Sequence, residues 1–148
     1  MTEAAELIKL YSARILALAA DIPHHGRLDA PQASIRKRSP LCGSTVTVDL
    51  DLTKGRVSRF GQDVKACALG QAAAAVLGGA VLGRSPTELA QLAQELEAML
   101  KSGGPVPAPP FEGYEALTPA REFRNRHASI LLAAQAAVEA ARAAEAAP

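Results

Sequence analysis

Two cysteines and one histidine are the residues of this sequence best suited to bind a metal or to act as nucleophiles. Cys42 lies in a loop, after Pro40 and directly before a strongly patterned strand, so its thiol is expected to be exposed. Cys67 stands where a second strand passes into a helix of small residues, and the positive end of a helix dipole favours a thiolate there. His127 precedes an apolar stretch and could serve as a ligand, a base or a surface residue.

Each of these residues also has an ordinary structural interpretation. A free cysteine often packs as a small hydrophobe, and the two cysteines form no CxxC motif of the zinc-ribbon or thioredoxin kind. For His127 the residues alone favour a surface position over a ligand. His24 and His25 form a loop pair without neighbouring partners, and Asp49 and Asp51 are expected to be ordinary charges on a strand surface.

Other catalytic and binding motifs are missing from the sequence. Ser44 and Ser129 lack the Gly-x-Ser-x-Gly context of a hydrolase nucleophile, and neither a Walker A loop nor a dinucleotide fingerprint occurs. The 16 basic and 15 acidic side chains leave a formal charge of +1. This balance argues against a dedicated nucleic-acid-binding protein.

The sequence predicts a cytoplasmic protein that does not associate with membranes. Its first residues are acidic, where a signal peptide would carry basic ones. The longest apolar run, residues 67–82, is shorter than the about 20 residues of a membrane span. The 148 residues suit a single domain over residues 1–148. Within it we expect a proline-rich loop at 105–118 and a frayed tail from about 145 to 148.

The two cysteines are predicted to meet at one end of a small antiparallel sheet. Apolar and polar residues alternate strictly over residues 44–52, which predicts a strand with one buried and one solvated face. A hairpin at Thr53-Lys54-Gly55 leads into a second strand, with a bulge expected near Gly61. Because Cys42 precedes the first strand and Cys67 follows the second, the hairpin brings both to the same end.

The remaining pattern predicts helices and one edge strand. We expect, in chain order, a helix over residues 2 to about 20, a weak edge strand near 33–38, a helix over 67–82 capped by Gly83, a helix from the capping box Ser85-Pro86-Thr87-Glu88 to about 101, and a last helix from Thr118-Pro119. The fold class is therefore α+β, with about three antiparallel strands and helices packed on one face.

Several blocks, taken in order, resemble the U-type iron–sulfur cluster scaffold proteins, namely IscU, SufU and the N-terminal domain of NifU. The blocks are Ile8-Lys9-Leu10-Tyr11-Ser12, Cys42-Gly43 before the strand, Phe60-Gly61 and then Cys67 opening a helix that ends at Gly83, Ser85-Pro86-Thr87-Glu88-Leu89, Pro119-Ala120-Arg121, and Arg126-His127-Ala128-Ser129-Ile130-Leu131. Together they cover most of the chain. The resemblance implies a SufE/NifU-like fold.

The resemblance also implies a metal site and partners. Proteins of this family hold iron or a [2Fe–2S] cluster through three cysteines plus an Asp or His, and they receive sulfur from a cysteine desulfurase. Carried over residue by residue, Cys42, Cys67 and His127 become ligands for iron, zinc or a labile cluster. The sequence departs from the family where Ala128 replaces the third cysteine and Ser44 replaces the Asp after the first Cys-Gly.

Three functional hypotheses follow. The first is a scaffold-like protein in which Cys42 accepts sulfur from the desulfurase, while water, Asp63 or a partner completes the metal coordination. Zinc could occupy this site in the isolated protein. The second is a cluster-free docking or regulatory module for the assembly machinery. The third, a thiol enzyme based on Cys67 and His127, has no local signature, so no enzyme activity is predicted. We expect acceptor or carrier proteins as further partners and a monomer or weak dimer.

Overall fold

The computed structural model describes residues 10–40 and 43–147. Within these residues, three strands form an antiparallel sheet in the order β1-β2-β3, and helices pack against it, which confirms the α+β class. The elements are, in chain order, α1 (Ala13–Ala20), β1 (Ala33–Arg38), β2 (Thr45–Thr53), β3 (Arg56–Lys65), α2 (Ala68–Ala80), α3 (Pro86–Lys101), a 3-10 helix (Glu112–Glu122) and α4 (Arg124–Ala146). In this described part, every helix is too short or too polar to cross a membrane.

The hairpin between β2 and β3 sets the register of the sheet. Lys54 and Gly55 both adopt left-handed backbone angles, with φ of 55° and 76°, as a two-residue hairpin turn requires. The pairing then shifts by one residue, because Asp51 faces Arg59 whereas Leu52 faces Val57. The bulge therefore lies near the turn, and its predicted position at Gly61 is wrong.

The two faces of the sheet are both covered near the middle. Val46, Val48 and Leu50 point into the core, as the alternation predicts. The alternation predicts that the opposite face is solvated, but the segment after α1 runs across it. A Cβ at Gly61 would lie 2.9 Å from the Gly26 carbonyl oxygen, so only glycine permits this close approach.

Asp49 is the residue most affected by this covering segment. Its side chain is fully buried, so its expected role as a surface charge is wrong. Arg27 Nε donates to its carboxylate at 2.7 Å, and the Ser34 hydroxyl and the Leu28 N–H also donate to it. Burial alone would raise the pKa of Asp49, but the hydrogen bonds from Arg27, Ser34 and Leu28 outweigh it and hold the pKa below its usual value.

The first predicted helix is interrupted in the structure. Leu10 is helical, but Ser12 is the N-cap of a separate helix, and its hydroxyl accepts the Ile15 N–H at 3.3 Å. Serine side chains compete with the helical backbone in this way, so a serine inside an apolar stretch often begins a new helix. Residues 2–9 of the predicted helix lie outside the described part.

The later helices follow the sequence pattern more closely. The Ser85 hydroxyl accepts the Glu88 N–H while the Glu88 carboxylate accepts the Ser85 N–H, which is the predicted capping box at the start of α3. The last helical region begins earlier than Thr118, because a 3-10 helix containing Pro119 precedes α4. Helix α4 continues through Ala146, whereas the sequence predicts fraying from about residue 145.

Candidate functional site

Cys67 lies at the junction between the sheet and α2. It follows β3 by two residues and is the N-cap of α2, with extended backbone angles (φ −67°, ψ 170°). Its side chain is partly exposed, and its carbonyl oxygen accepts the Gln71 N–H at the start of the helix. The predicted position of Cys67 at a helix N-terminus is confirmed.

Ser129 connects Cys67 to the start of β2. Its hydroxyl lies 3.5 Å from Cys67 Sγ and 3.3 Å from the Ser44 hydroxyl, and both serines are at least 95% buried. Helix α4 can approach this closely because Gly70, one turn after Cys67, has no side chain. A Cβ at Gly70 would lie 2.6 Å from Ser129 Oγ.

The sequence does not indicate that these serines lie beside Cys67, because the lack of a Gly-x-Ser-x-Gly context only argues against hydrolase nucleophiles. The signal that could have identified them is a small residue, Gly70, one turn after Cys67 in an otherwise alanine-rich helix. A small residue at this spacing permits another helix to lie against the thiol. A polar side chain on that helix then becomes the partner of the thiol.

His127 is buried, with 4% of its surface exposed, so the surface position favoured by its sequence is wrong. Its Nε2 lies 2.8 Å from the Ala120 carbonyl oxygen in the 3-10 helix. Because a carbonyl oxygen can only accept, Nε2 must carry the proton in this bond, and Nδ1 keeps its lone pair in the neutral ring. A hydrogen bond from one ring nitrogen to a backbone carbonyl is the usual way to orient a metal-binding histidine.

An open cavity of about 610 Å³ borders His127. Arg121 forms part of its wall, and its guanidinium donates to the carbonyl oxygens of Met99 and Gly104 at 2.7 and 2.6 Å. These two bonds fix the end of α3 against the 3-10 helix that orients His127. The cavity lies beside His127, which itself exposes only 4% of its surface.

Cys42 lies outside the described residues, but the ends of its loop are fixed. The Ser39 N–H donates to the Ser44 carbonyl oxygen at 2.8 Å, and the Gly43 N–H donates to the Ser39 carbonyl oxygen at 2.9 Å. In the sheet, Thr45 at the start of β2 faces Lys65 at the end of β3. The loop that carries Cys42 thus closes at the end of the sheet where Cys67 lies.

The described residues do not form a complete metal site. Among residues 10–40 and 43–147, no three His, Cys, Asp or Glu side chains are grouped closely enough to hold an ion. His127 and Ser129 are two residues apart and so point about 200° apart around α4. Because Cys67 contacts the side of α4 that carries Ser129, His127 lies on the other side of the helix from Cys67.

Asp63, considered above as a fourth ligand, faces away from Cys67. It pairs with Thr47, on the face of the sheet opposite to Val46 and Val48. It also lies close enough to Arg27 to contribute to the raised pKa of that guanidinium, after the larger effects of Asp49. Asp63 therefore belongs to the outer face of the sheet.

Comparisons with known proteins identify the fold. No family model and no curated protein matches the chain. Among solved structures, the chain is similar to a nitrogen-fixing NifU-like protein (N-terminal) from Brucella abortus. The two are 38% identical, the match covers 95% of this chain and 97% of that one, and the TM-score is 0.91.

Two more distant structures share the fold. A hypothetical protein is 24% identical, with 91% of this chain and 98% of that chain covered and a TM-score of 0.80. A candidate iron–sulfur cluster assembly scaffold protein for the SUF system of Fervidobacterium islandicum AW-1 is 18% identical, with 89% and 96% covered and a TM-score of 0.78. On the strength of its likeness to the Brucella protein, the chain belongs to the NifU-like, U-type family of iron–sulfur cluster assembly scaffolds.

Proposed function

We propose that this protein is a scaffold in iron–sulfur cluster assembly that holds iron, zinc or a labile cluster through Cys42, Cys67 and His127. The observation that carries the proposal is the position of Cys67. It is a partly exposed thiol at the N-terminus of α2, at the end of the sheet where the Cys42 loop closes. The chain as a whole is 38% identical to a NifU-like protein.

The donor set fits a thiophilic metal. Two thiolates and one imidazole are typical ligands of tetrahedral zinc or iron, with a fourth position left for water or a partner. The hydrogen bond from His127 Nε2–H to Ala120 leaves Nδ1 as the metal-binding atom. A single metal ion bound to both Cys67 and His127 requires His127 to leave its present position, because Cys67 contacts the other side of α4.

A [2Fe–2S] cluster needs more ligands than the thiols of one chain supply. Such a cluster takes four ligands, usually thiolates, and Ala128 leaves only two cysteines in each chain. His127 and one further ligand must then complete the cluster. A second copy of the chain or a partner protein could provide the missing donor.

We further propose that Cys42 accepts the sulfur. In the transfer, the Cys42 thiolate attacks the outer sulfur of a persulfide on a cysteine desulfurase. The donor's S–S bond breaks, the donor leaves as a thiolate, and Cys42 becomes the persulfide without net oxidation. Hydrogen bonds between Ser39 and Ser44 and between Gly43 and Ser39 close the loop at the end of the sheet where Cys67 lies, which supports an acceptor thiol there. The cluster would then pass to acceptor or carrier proteins.

Metal titration of cysteine and histidine variants tests the ligand assignment. Anaerobic titration with Zn²⁺ or Fe²⁺ should show at least about a tenfold loss of affinity in Cys42→Ser, Cys67→Ser and His127→Gln. His25→Gln is the matched control, since His25 is an exposed loop residue, and it should bind like the unmodified protein. Equal affinity in all variants, each with an unchanged melting temperature, would exclude these ligands.

A second candidate function is a docking or regulatory module of the same machinery that carries no cluster. The replacement of the third cysteine by Ala128 favours it. This function predicts binding to a cysteine desulfurase that persists in Cys42→Ser and Cys67→Ser. Anaerobically isolated protein would then contain neither iron nor zinc. For both functions we propose a non-enzymatic role in the cytoplasm.

A further inference from the structure

The outer face of the sheet carries three exposed cations at the end nearest the cysteines. Arg38, Thr45 and Lys65 form one row across the strands, and Arg36 and Thr47 belong to the next row. Arg36 and Arg38 alternate along β1 with the half-buried Ile35 and Lys37, and Lys65 lies across Thr45 from Arg38, so the three cations share one face. We call Arg36, Arg38 and Lys65 the cationic strip.

The charges of the cationic strip are not neutralised by the described part of the protein. Elsewhere on the same face the basic residues are paired, Arg27 with the buried Asp49 and Arg59 with Asp51. The ion pairs found among residues 10–40 and 43–147 include no member of the strip. Asp63 lies in the same row as Arg36, across Thr47, and its single negative charge leaves the three cations in excess. The strip therefore presents a net positive charge to solvent.

The cationic strip is continuous with the candidate site. Lys65 is the last residue of β3 and precedes Cys67 by two positions. A Cβ at Gly43 would lie 4.0 Å from Arg38 Nη2, so the guanidinium stands beside the residue that follows Cys42. Any protein that reaches the cysteines along this face of the sheet meets Arg38 and Lys65 first.

We infer that the cationic strip binds an acidic, extended segment of a protein that exchanges sulfur or cluster with this site. The identity of the partner rests on the proposed function, whereas the binding of an acidic segment does not. Arg36 and Arg38 are two residues apart on a strand, about 6.7 Å, which is also the spacing of alternate side chains in an extended peptide. The short side chains of Thr45 and Thr47 between the cations leave room for such a segment to lie flat.

A protein suits the strip better than a nucleic acid. Single-stranded nucleic acids bind through aromatic stacking combined with a long positive groove. The two described rows contain arginine, lysine, threonine and aspartate but no aromatic residue. The formal charge of the whole chain is only +1, so the positive surface is local. Such a patch gives orientation and faster association with an acidic partner.

A peptide-binding experiment tests the inference. The probe is a short, fluorescently labelled synthetic peptide of alternating Glu and Ser, and its binding is followed by fluorescence anisotropy at low and at physiological salt. We expect Arg38→Glu/Lys65→Glu to weaken binding about tenfold at low salt, because two attractions become repulsions. The control is Lys54→Glu/Arg142→Glu, which changes the net charge equally at two exposed residues away from the strip, and it should bind within about twofold of the unmodified protein.

Three results would overturn the inference. They are the absence of peptide binding by the unmodified protein, an equal loss in the strip and control variants, and tighter binding of a single-stranded DNA of the same charge than of the peptide. Failure of the proposed function is detected by a different measurement, the metal content of the same samples. If the protein contains no metal but the strip variant still binds the peptide more weakly than the control variant, the inference stands and the scaffold assignment fails.

Discussion

Replacing Gly70 by alanine tests the close packing that brings α4 to Cys67. The new Cβ would lie 2.6 Å from Ser129 Oγ, 2.8 Å from Ala66 Cβ and 3.2 Å from the Ser129 carbonyl oxygen. Overpacking of this kind costs about 1–3 kcal/mol, while alanine gains about 1 kcal/mol over glycine inside a helix. The net effect expected for Gly70→Ala is a loss of stability between zero and about 2 kcal/mol.

Gly79 in the same helix provides the matched control. Apart from its chain neighbours and the nearby backbone of α2, no described atom lies within 4 Å of a Cβ built at Gly79, so Gly79→Ala should gain up to about 1 kcal/mol from helix propensity alone. The two variants should therefore differ by about 1–3 kcal/mol. In a domain of this size each kcal/mol shifts the melting temperature by about 2–4 °C.

Thermal and urea unfolding of both variants provide the measurement. Adding Ser129→Ala to Gly70→Ala removes the closest of the three contacts, so the double variant should recover part of the lost stability. If Gly70→Ala proves as stable as Gly79→Ala, then α2 and α4 do not pack as tightly at Cys67 as the structure indicates. The hydrogen bond between Cys67 and Ser129 would then be in doubt as well.

Three further substitutions probe single groups. Asp49→Asn should cost about 1–3 kcal/mol in urea unfolding at neutral pH. The folded pKa of Asp49 lies below its unfolded value of about 3.9, so the carboxylate contributes fully to stability above that pH. This contribution is lost as the pH falls through the folded pKa, and the stability of Asp49→Asn should therefore depend less on acid pH. Tyr114→Phe should keep or gain up to about 1 kcal/mol, since this fully buried hydroxyl has no hydrogen-bond partner among the described residues; a loss above 1 kcal/mol would reveal a partner. Ser129→Ala should weaken zinc binding severalfold in a chelator competition assay by removing the neighbour of the Cys67 thiol, and unchanged affinity would assign Ser129 a purely structural role.

Local patterns in the sequence predict most of the fold. Strict alternation defines β2, and the capping box at Ser85 defines the start of α3, because both signals depend only on neighbouring residues. The burial of Asp49 could not be predicted in this way. Alternation assigns it to the outer face, but the segment that covers that face comes from Arg27 and its neighbours, more than twenty residues earlier.

The candidate site shows the same division between local and long-range information. Cys67 is placed correctly, since a strand-to-helix junction is readable from composition. The burial of His127 depends on a carbonyl group of the 3-10 helix at Ala120, and the contact between Cys67 and Ser129 depends on how two helices cross. Neither contact leaves a periodic signal in the sequence. The resemblance to scaffold proteins nominates His127 but cannot show which way its ring points.

The metal and sulfide content of the protein, purified anaerobically without a tag, tests the scaffold assignment most directly. A scaffold that uses these ligands should contain iron with sulfide, or zinc, near one site per chain, with thiolate-to-iron absorption bands when iron is present. This content should fall sharply in Cys42→Ser and Cys67→Ser. A metal-free protein, or the same metal content in both cysteine variants as in the unmodified chain, would contradict the scaffold assignment.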